Sequence, residues 1–136
     1  MEVVVQILVE KLKLAQKALI TLEEALNADF SPFVQDAAIH RFEYTVEAVW
    51  KLLQAFLKES EGLICASPKA ALRDAKKVGL LNDSETERAL EMIDDRNLTS
   101  HMGHAEIAKA LFKRLPSYSE LMKHVLERIE KGASRN

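Results

Sequence analysis

One cysteine, four glycines and three prolines are all that this chain of 136 residues contains of those types. Each scarcity excludes something. A lone Cys65 cannot form an intramolecular disulfide framework, and it fits a reducing cytoplasm. So few turn formers argue against a turn-rich β fold. No apolar run approaches the roughly 20 residues that a membrane span needs. Glu2, Glu10 and Lys11 interrupt what would be the apolar segment of a secretory leader. Neither sign of charge dominates. Nineteen Lys and Arg face 21 Asp and Glu, a formal net charge of −2. That balance exerts no global pull on nucleic acid, so any such site must be local. The Gly-rich phosphate loop, the Gly-x-Ser-x-Gly elbow and the Gly-Ser with paired Asp of nucleotide-transferring enzymes are all missing. The chain is therefore not equipped to transfer a nucleotide by itself.

What is present is apolar periodicity. About half the residues are apolar, enough for one domain over residues 1–136 with its own core. Val5, Leu8, Leu12, Ala15, Leu19, Leu22 and Leu26 advance by threes and fours, which lays one stripe along a first helix. Val3-Val4-Val5 alone would suit a strand, but the unbroken period behind it favours helix. Ser31-Pro32 reads as an N-cap and first helical position. A second long helix follows, from about residue 32 to about residue 60. Its stripe is Phe42, Val46, Val49, Leu53 and Phe56, widened by Phe33, Ile39, Trp50 and Leu57. At roughly 40 Å it should pair antiparallel with the first, and so wide an apolar surface invites more helices or a second subunit.

Gly62 suits a helix end, and Ser67-Pro68 repeats the start signal. A short helix carrying Ala70, Ala71, Ala75 and Val78 closes at Gly79. Asn82-Asp83-Ser84 offers caps for the next helix, with Ser84 and Glu87 at capping-box spacing. Ala89, Leu90, Met92 and Ile93 form its buried side. Ile107, Ala108, Leu111 and Phe112 mark another short helix. Pro116, or Ser117 with Glu120, starts the last one, striped by Leu121, Met122, Val125, Leu126 and Ile129 and ending at Lys131-Gly132. Residues 133–136 form a loose tail. The expected fold is all-α, an antiparallel four-helix-type bundle of about six helical segments.

One stretch breaks the apolar pattern. Asp94-Asp95-Arg96-Asn97-Leu98-Thr99-Ser100-His101 packs acids, an arginine, an amide, hydroxyls and a histidine around a single apolar residue. Each such group needs a partner if buried. Arg and His together suit phosphate chemistry: a fixed cationic fork beside a group that exchanges a proton near neutral pH. On a continuous helix Arg96 and His101 would stand about 140° apart, so they could share a site only through a helix break near Leu98 or a second copy across a twofold axis. The structural alternative is a helix end tied by an Asp–Arg pair, with Asn, Thr and Ser as caps. His101 and His104 lack further ligands, so no metal and no cofactor are expected. On the second helix, Arg41, Tyr44 and Lys51 could line a cleft for a nucleotide or phosphate. Glu47 and Lys51 equally make a favourable i, i+4 pair, and Trp50 suits a core or interface anchor. His40 and His124 read as surface residues, and Cys65 as a small, partly buried residue without a base.

Two stretches carry a resemblance. Arg41-Phe42-Glu43-Tyr44-Thr45-Val46-Glu47-Ala48-Val49-Trp50-Lys51 resembles the second-helix signature of the nucleotidyltransferase substrate-binding proteins. Asp95-Arg96-Asn97-Leu98-Thr99-Ser100-His101 is similar to their second signature. Ser67-Pro68, Gly79-Leu80-Leu81 and the final helix fall in the matching order, so the resemblance covers nearly the whole chain. These proteins belong to the HEPN superfamily, marked by an Arg followed a few residues later by a His. The resemblance implies a homodimeric helical bundle that partners a separate minimal nucleotidyltransferase in a HEPN–MNT, toxin–antitoxin-like pair. The partner list it implies also includes nucleotide or RNA, without a membrane. Some relatives are metal-independent ribonuclease toxins in which the Arg-x4-His pairs of both subunits meet at the dimer interface. Carried over, His101 would handle the 2′-hydroxyl proton and the leaving oxygen, Arg96 would hold the phosphate, and Asn97 would orient the pair. One departure bears on this: toxin relatives often carry a Tyr two positions after the His, modified with AMP by the partner. Here that position is Gly103, and no modification there is possible.

The expected function is thus a substrate-binding and regulatory subunit of a two-component nucleotidyltransferase in the cytoplasm. The alternative is a metal-independent endoribonuclease centred on Arg96, Asn97 and His101.

Overall fold

The structure, a computed structural model, describes the backbone of residues 2–101 and 103–134 and the side chains of residues 6–100 and 103–132. The described residues are all helical apart from connections. The elements are α1 (Glu2–Asn27), α2 (Pro32–Glu61), α3 (Pro68–Lys77), α4 (Asp83–Asn97) and α5 (Ala105–Ser134), with a 3-10 turn over Leu98–His101.

The apolar period of α1 becomes the inner face of the bundle. Leu8, Leu12, Ala15, Leu19 and Leu22 are all buried, and Leu26 packs against the same core from a partly buried position. Val3-Val4-Val5 is helical; the side chain of Val5 lies outside the described residues. On α2, Phe42, Val46, Val49, Leu53 and Phe56 are buried, with Ile39 and Leu57 beside them. Phe33 is not: it sits in the first turn of α2 and is 86% exposed. The period places it near the stripe, but the helix begins there and the ring stays in solvent. The long helices α1, α2 and α5 pack on one another, while α3 and α4 close the side formed by α2 and α5.

Caps set the boundaries. Ser31 and Ser67 each accept the backbone N–H three residues on, from Val34 and Ala70, and Pro32 and Pro68 supply the first helical position. Gly62 ends α2 in the left-handed region at φ 68°, and its N–H reaches the Lys58 carbonyl at 3.1 Å. The capping box of α4 lies two residues earlier than the spacing of Ser84 and Glu87 indicates. Asn82 Oδ1 accepts from the Glu85 N–H at 2.8 Å, and Glu85 Oε1 accepts from the Asn82 N–H at 3.0 Å. The earlier register wins because it also turns Glu85 inward, where Arg128 Nη1 meets Oε1 at 2.8 Å.

The last two expected helices are one. Pro116 lies inside α5, exposed on its outer face. A proline removes one backbone donor, and a helix can absorb that by bending at the ring. Leu111, Leu115, Tyr118, Leu121 and Met122 are buried on both sides of it, so burial of one continuous stripe outweighs the lost bond. Gly132 does not stop α5 either. A Cβ there would come within 2.9 Å of the Phe56 ring, so the glycine lets α5 approach α2 closely. The loose tail expected over residues 133–136 is corrected at Ala133 and Ser134, which continue α5, and residues 135–136 lie outside the described residues.

Candidate functional site

The polar stretch at the end of α4 divides between two destinations. Asp95 turns toward α5. Its carboxylate takes a two-pronged contact from Arg114, Nε to Oδ2 at 2.7 Å and Nη2 to Oδ1 at 2.9 Å. The Tyr118 hydroxyl donates to Oδ2 at 2.5 Å. Tyr118 is 2% exposed and stacks on Phe42 with centroids 5.8 Å apart. Burial first, and then the neighbouring carboxylate, push the tyrosine's ionisation well above its ordinary range. The hydrogen bonds that Arg114 donates to Asp95, foremost, raise its own pKa. The first half of the stretch is therefore partly a structural fastening, and Lys69 adds to it with an ion pair to Asp94 at 2.6 Å.

Arg96 turns instead toward α2. Its Nη2 lies 3.9 Å from Glu47 Oε2, and its side chain is 37% exposed. Glu47 also takes the Trp50 indole N–H at 3.2 Å on Oε2 and Lys51 Nζ at 3.3 Å on Oε1. One half-exposed carboxylate thus gathers a guanidinium, an ammonium and an indole from the two signature stretches. Two cations against one anion leave a net positive, solvent-reachable centre, which can accept a phosphate without burying a charge.

After Asn97 the α-helix tightens into a 3-10 turn. Leu98 caps α4, and the 3-10 turn follows over Leu98–His101. Thr99 Oγ1 donates to the Arg96 carbonyl at 2.7 Å and Ser100 Oγ to the Asn97 carbonyl at 3.4 Å, which ties off the end of the helix. Leu98 itself stays in the right-handed helical region, at φ −80° and ψ −10°, so the chain tightens its winding here and does not turn away from the helix. The side chain of His101 lies outside the described residues. Asn97 is exposed, and so are Gly103 and His104.

The three candidate residues of α2 separate. Arg41 Nη1 donates to the Thr21 carbonyl at 2.8 Å, and the Tyr44 hydroxyl pairs with Thr21 Oγ1. Both fasten α2 to α1. His40 is exposed and meets Tyr44 edge-on at 5.6 Å. Lys51 stands on the wall of a cleft of about 470 Å³ between α1, α2 and the α2–α3 connection, which Arg41 and Tyr44 do not line. Trp50 is partly buried against the core. Cys65 is fully inside, at 2% exposure, with Sγ donating to Asp74 Oδ2 at 3.2 Å. Burial first, then Asp74, raise its pKa, so the thiol stays protonated. Among the described residues no three of His, Cys, Asp and Glu converge on a metal-sized site, and no helix is long and apolar enough to cross a membrane.

The comparisons with known proteins bear on the fold and the family. Among solved structures, a protein of Thermus thermophilus is 55% identical, with a TM-score of 0.82 over 85% of this chain and 98% of that one. Two toxin–antitoxin structures are more distant in sequence but share the fold. One, a toxin–antitoxin with AMP-PNP, is 16% identical with a TM-score of 0.74, covering 91% of this chain and 96% of that one. The other, a tri-AMPylated Shewanella oneidensis HEPN toxin in complex with an MNT antitoxin, is 15% identical with a TM-score of 0.75, covering 92% and 97%. The fold is accordingly all-helical and HEPN-like. No curated protein matches the chain in sequence. A family model described as nucleotidyltransferase substrate binding protein like matches residues 10–131, spanning both signature stretches and every cap and fastening described above, and the chain belongs to that family.

Proposed function

We propose that this chain is the helical substrate-binding and regulatory subunit of a two-component system. It works, as a single domain and a cytoplasmic homodimer, with a separate minimal nucleotidyltransferase in a HEPN–MNT, toxin–antitoxin-like pair. The observation that carries this reading is the family match over residues 10–131 in a chain without any nucleotide-transfer motif of its own. The geometry supports it: α2 and the end of α4, which hold the two signatures, come together at Glu47 and leave Arg96 and Lys51 reachable from solvent. A twofold dimer would set two such centres about one axis. The test is co-purification with a minimal nucleotidyltransferase encoded beside it. A stable complex at micromolar concentration is the expected result, and clean separation at that concentration would overturn the reading.

A second reading rests on the Arg-x4-His spacing, which here runs from the last turn of α4 into the 3-10 turn over Leu98–His101. It requires a twofold dimer, in which the Arg96 and His101 of two copies would meet about one axis. In this reading Arg96 holds an RNA phosphate, Asn97 orients the pair, and His101 takes the 2′-hydroxyl proton and protonates the leaving oxygen, without metal. RNA cleavage in EDTA by the wild type, abolished by His101→Ala, is its expected signature. No cleavage by the wild type, or equal cleavage by both proteins, contradicts it.

A further inference from the structure

The cleft that Lys51 borders has a chemistry of its own. α1 contributes Ile7 and Lys11, one turn apart. α2 contributes Lys51, Gln54, Ala55, Lys58 and Glu59, whose spacing keeps them along one face. The α2–α3 connection closes the end with Ile64 and Cys65. Its volume of about 470 Å³ falls in the range of small-molecule sites, roughly 300–1,000 Å³.

Three features distinguish it from an ordinary surface groove. The first is charge: Lys11, Lys51 and Lys58 face a single acid, Glu59. Lys51 is shared with Glu47, while Lys11 and Lys58 hold no ion pair among the described residues. The second is a preformed wall. Gln54 Nε2 donates to the Cys65 carbonyl at 2.7 Å, and Cys65 is pinned in turn by Asp74. The carbonyls at the C-terminal end of α2 are occupied as well, by the N–H groups of Gly62 and Leu63, so they do not oppose an anion in full. The third is Ile64, which stands 85% exposed at the rim. Held out from the core on a fastened loop, it leaves an apolar face with nothing to cover it, and Ile7 at 46% exposure lies across from it.

We propose that this cleft binds a nucleotide, with the phosphates on Lys11, Lys51 and Lys58 and the base against Ile64 and Ile7. Phosphate-bearing chemistry with an apolar body follows from the lining; the choice of a nucleotide among organic phosphates rests on the function proposed above. Because Lys51 also pairs with Glu47, a bound phosphate competes with Glu47 for that lysine. Trp50, the one tryptophan, donates to the same carboxylate and so reports the exchange.

The test is calorimetric titration of the full chain, alone, with ATP, inorganic triphosphate and adenosine, and Trp50 fluorescence followed in parallel. ATP is expected to bind more tightly than either fragment, with a change in Trp50 emission and weakening at high salt. The double variant Lys11→Gln/Lys58→Gln should lose affinity by roughly tenfold or more, two charge-assisted phosphate contacts being removed. Ile64→Ser should lose a smaller factor. Both substitutions are at the surface; if the double variant melts early, Lys58→Gln alone carries the comparison. Absence of ATP binding up to millimolar concentration, equal affinity in wild type and double variant, or inorganic triphosphate binding as tightly as ATP would each overturn the proposal. No nucleotidyltransferase is present in this titration, so its failure leaves the subunit reading standing, and a failed co-purification leaves the titration interpretable.

Discussion

Asp95 and Arg96 are neighbours in sequence and belong to different parts of the molecule. Asp95 is the centre of a closed cluster: a carboxylate with two prongs from Arg114, and a hydroxyl from a tyrosine that is buried on Phe42. Arg96 belongs to an open cluster around Glu47, where every charged member is more than a third exposed. Disturbing the closed cluster destabilises the fold because Asp95 and Tyr118 are buried and cannot return to water, although Arg114 can. Disturbing the open one costs little because each of its charged groups already faces solvent. The difference teaches which half of the signature stretch holds the fold and which half is free to act on something else.

The contrast can be broken most forcefully at Asp95. Asp95→Ala leaves the Tyr118 hydroxyl without its acceptor inside the core and strips Arg114 of its partner. A loss of about 1–3 kcal/mol in urea or thermal unfolding is expected, from the buried hydroxyl left unsatisfied. A loss within about 0.5 kcal/mol, the range of ordinary surface substitutions, would mean that the cluster is not a fastening.

Glu85 and Arg128 provide an intermediate case, and it is read through pH. The hydrogen bond from Arg128, foremost, holds Glu85 below its ordinary carboxylate value. A carboxyl group lowered in the folded state stabilises fully above its unfolded value, and that contribution is lost as the pH falls through the folded one. Unfolding followed from pH 7 downward should therefore show stability declining through and below the ordinary carboxylate range. Glu85→Gln should lower stability at neutral pH by about 1–2 kcal/mol and flatten the acid decline. An unchanged acid profile would remove Glu85 from the set of fastenings.

The smallest expected effect on stability is at Arg96. Its contact with Glu47 is long and half-exposed, and exposed pairs contribute about 0–1 kcal/mol. Arg96→Ala and Glu47→Gln should each shift the unfolding midpoint little, whereas the phosphate-handling capacity of the centre should fall in Arg96→Ala. Equal destabilisation by Arg96→Ala and Asp95→Ala would erase the distinction between the two clusters.

Much of the fold is legible in the sequence because it depends on local chemistry. The stripes of α1 and α2, the Ser-Pro starts at Ser31 and Ser67 and the glycine end at Gly62 are each set by residues within a turn or two. Pro116 misleads for the opposite reason. Its local effect is to interrupt a helix, and only burial against α1 and α2 shows that the helix continues. Gly132 likewise serves Phe56, a residue far away in sequence. The same division runs through the site. The density of polar groups around Arg96 is visible locally, and so is the end of the α-helix near Leu98. That Asp95 serves Arg114 and Tyr118 is not, because those partners lie 19 and 23 residues on. A tyrosine within the apolar stripe of α5 is the available signal, since a buried hydroxyl requires an acceptor. Arg41 and Tyr44 point to a ligand by residue type, yet the fold places both on Thr21, and the cations that border the cleft beside Lys51 are Lys11 and Lys58. These two lysines look like unremarked surface charges until α1 and α2 are packed together.

The central claim is that this chain acts through a separate nucleotidyltransferase. Sedimentation velocity of the chain, mixed at micromolar concentration with a minimal nucleotidyltransferase from its own genomic neighbourhood, tests it directly. The account expects one species heavier than either component and containing both. Two boundaries at the positions of the separate proteins would contradict it.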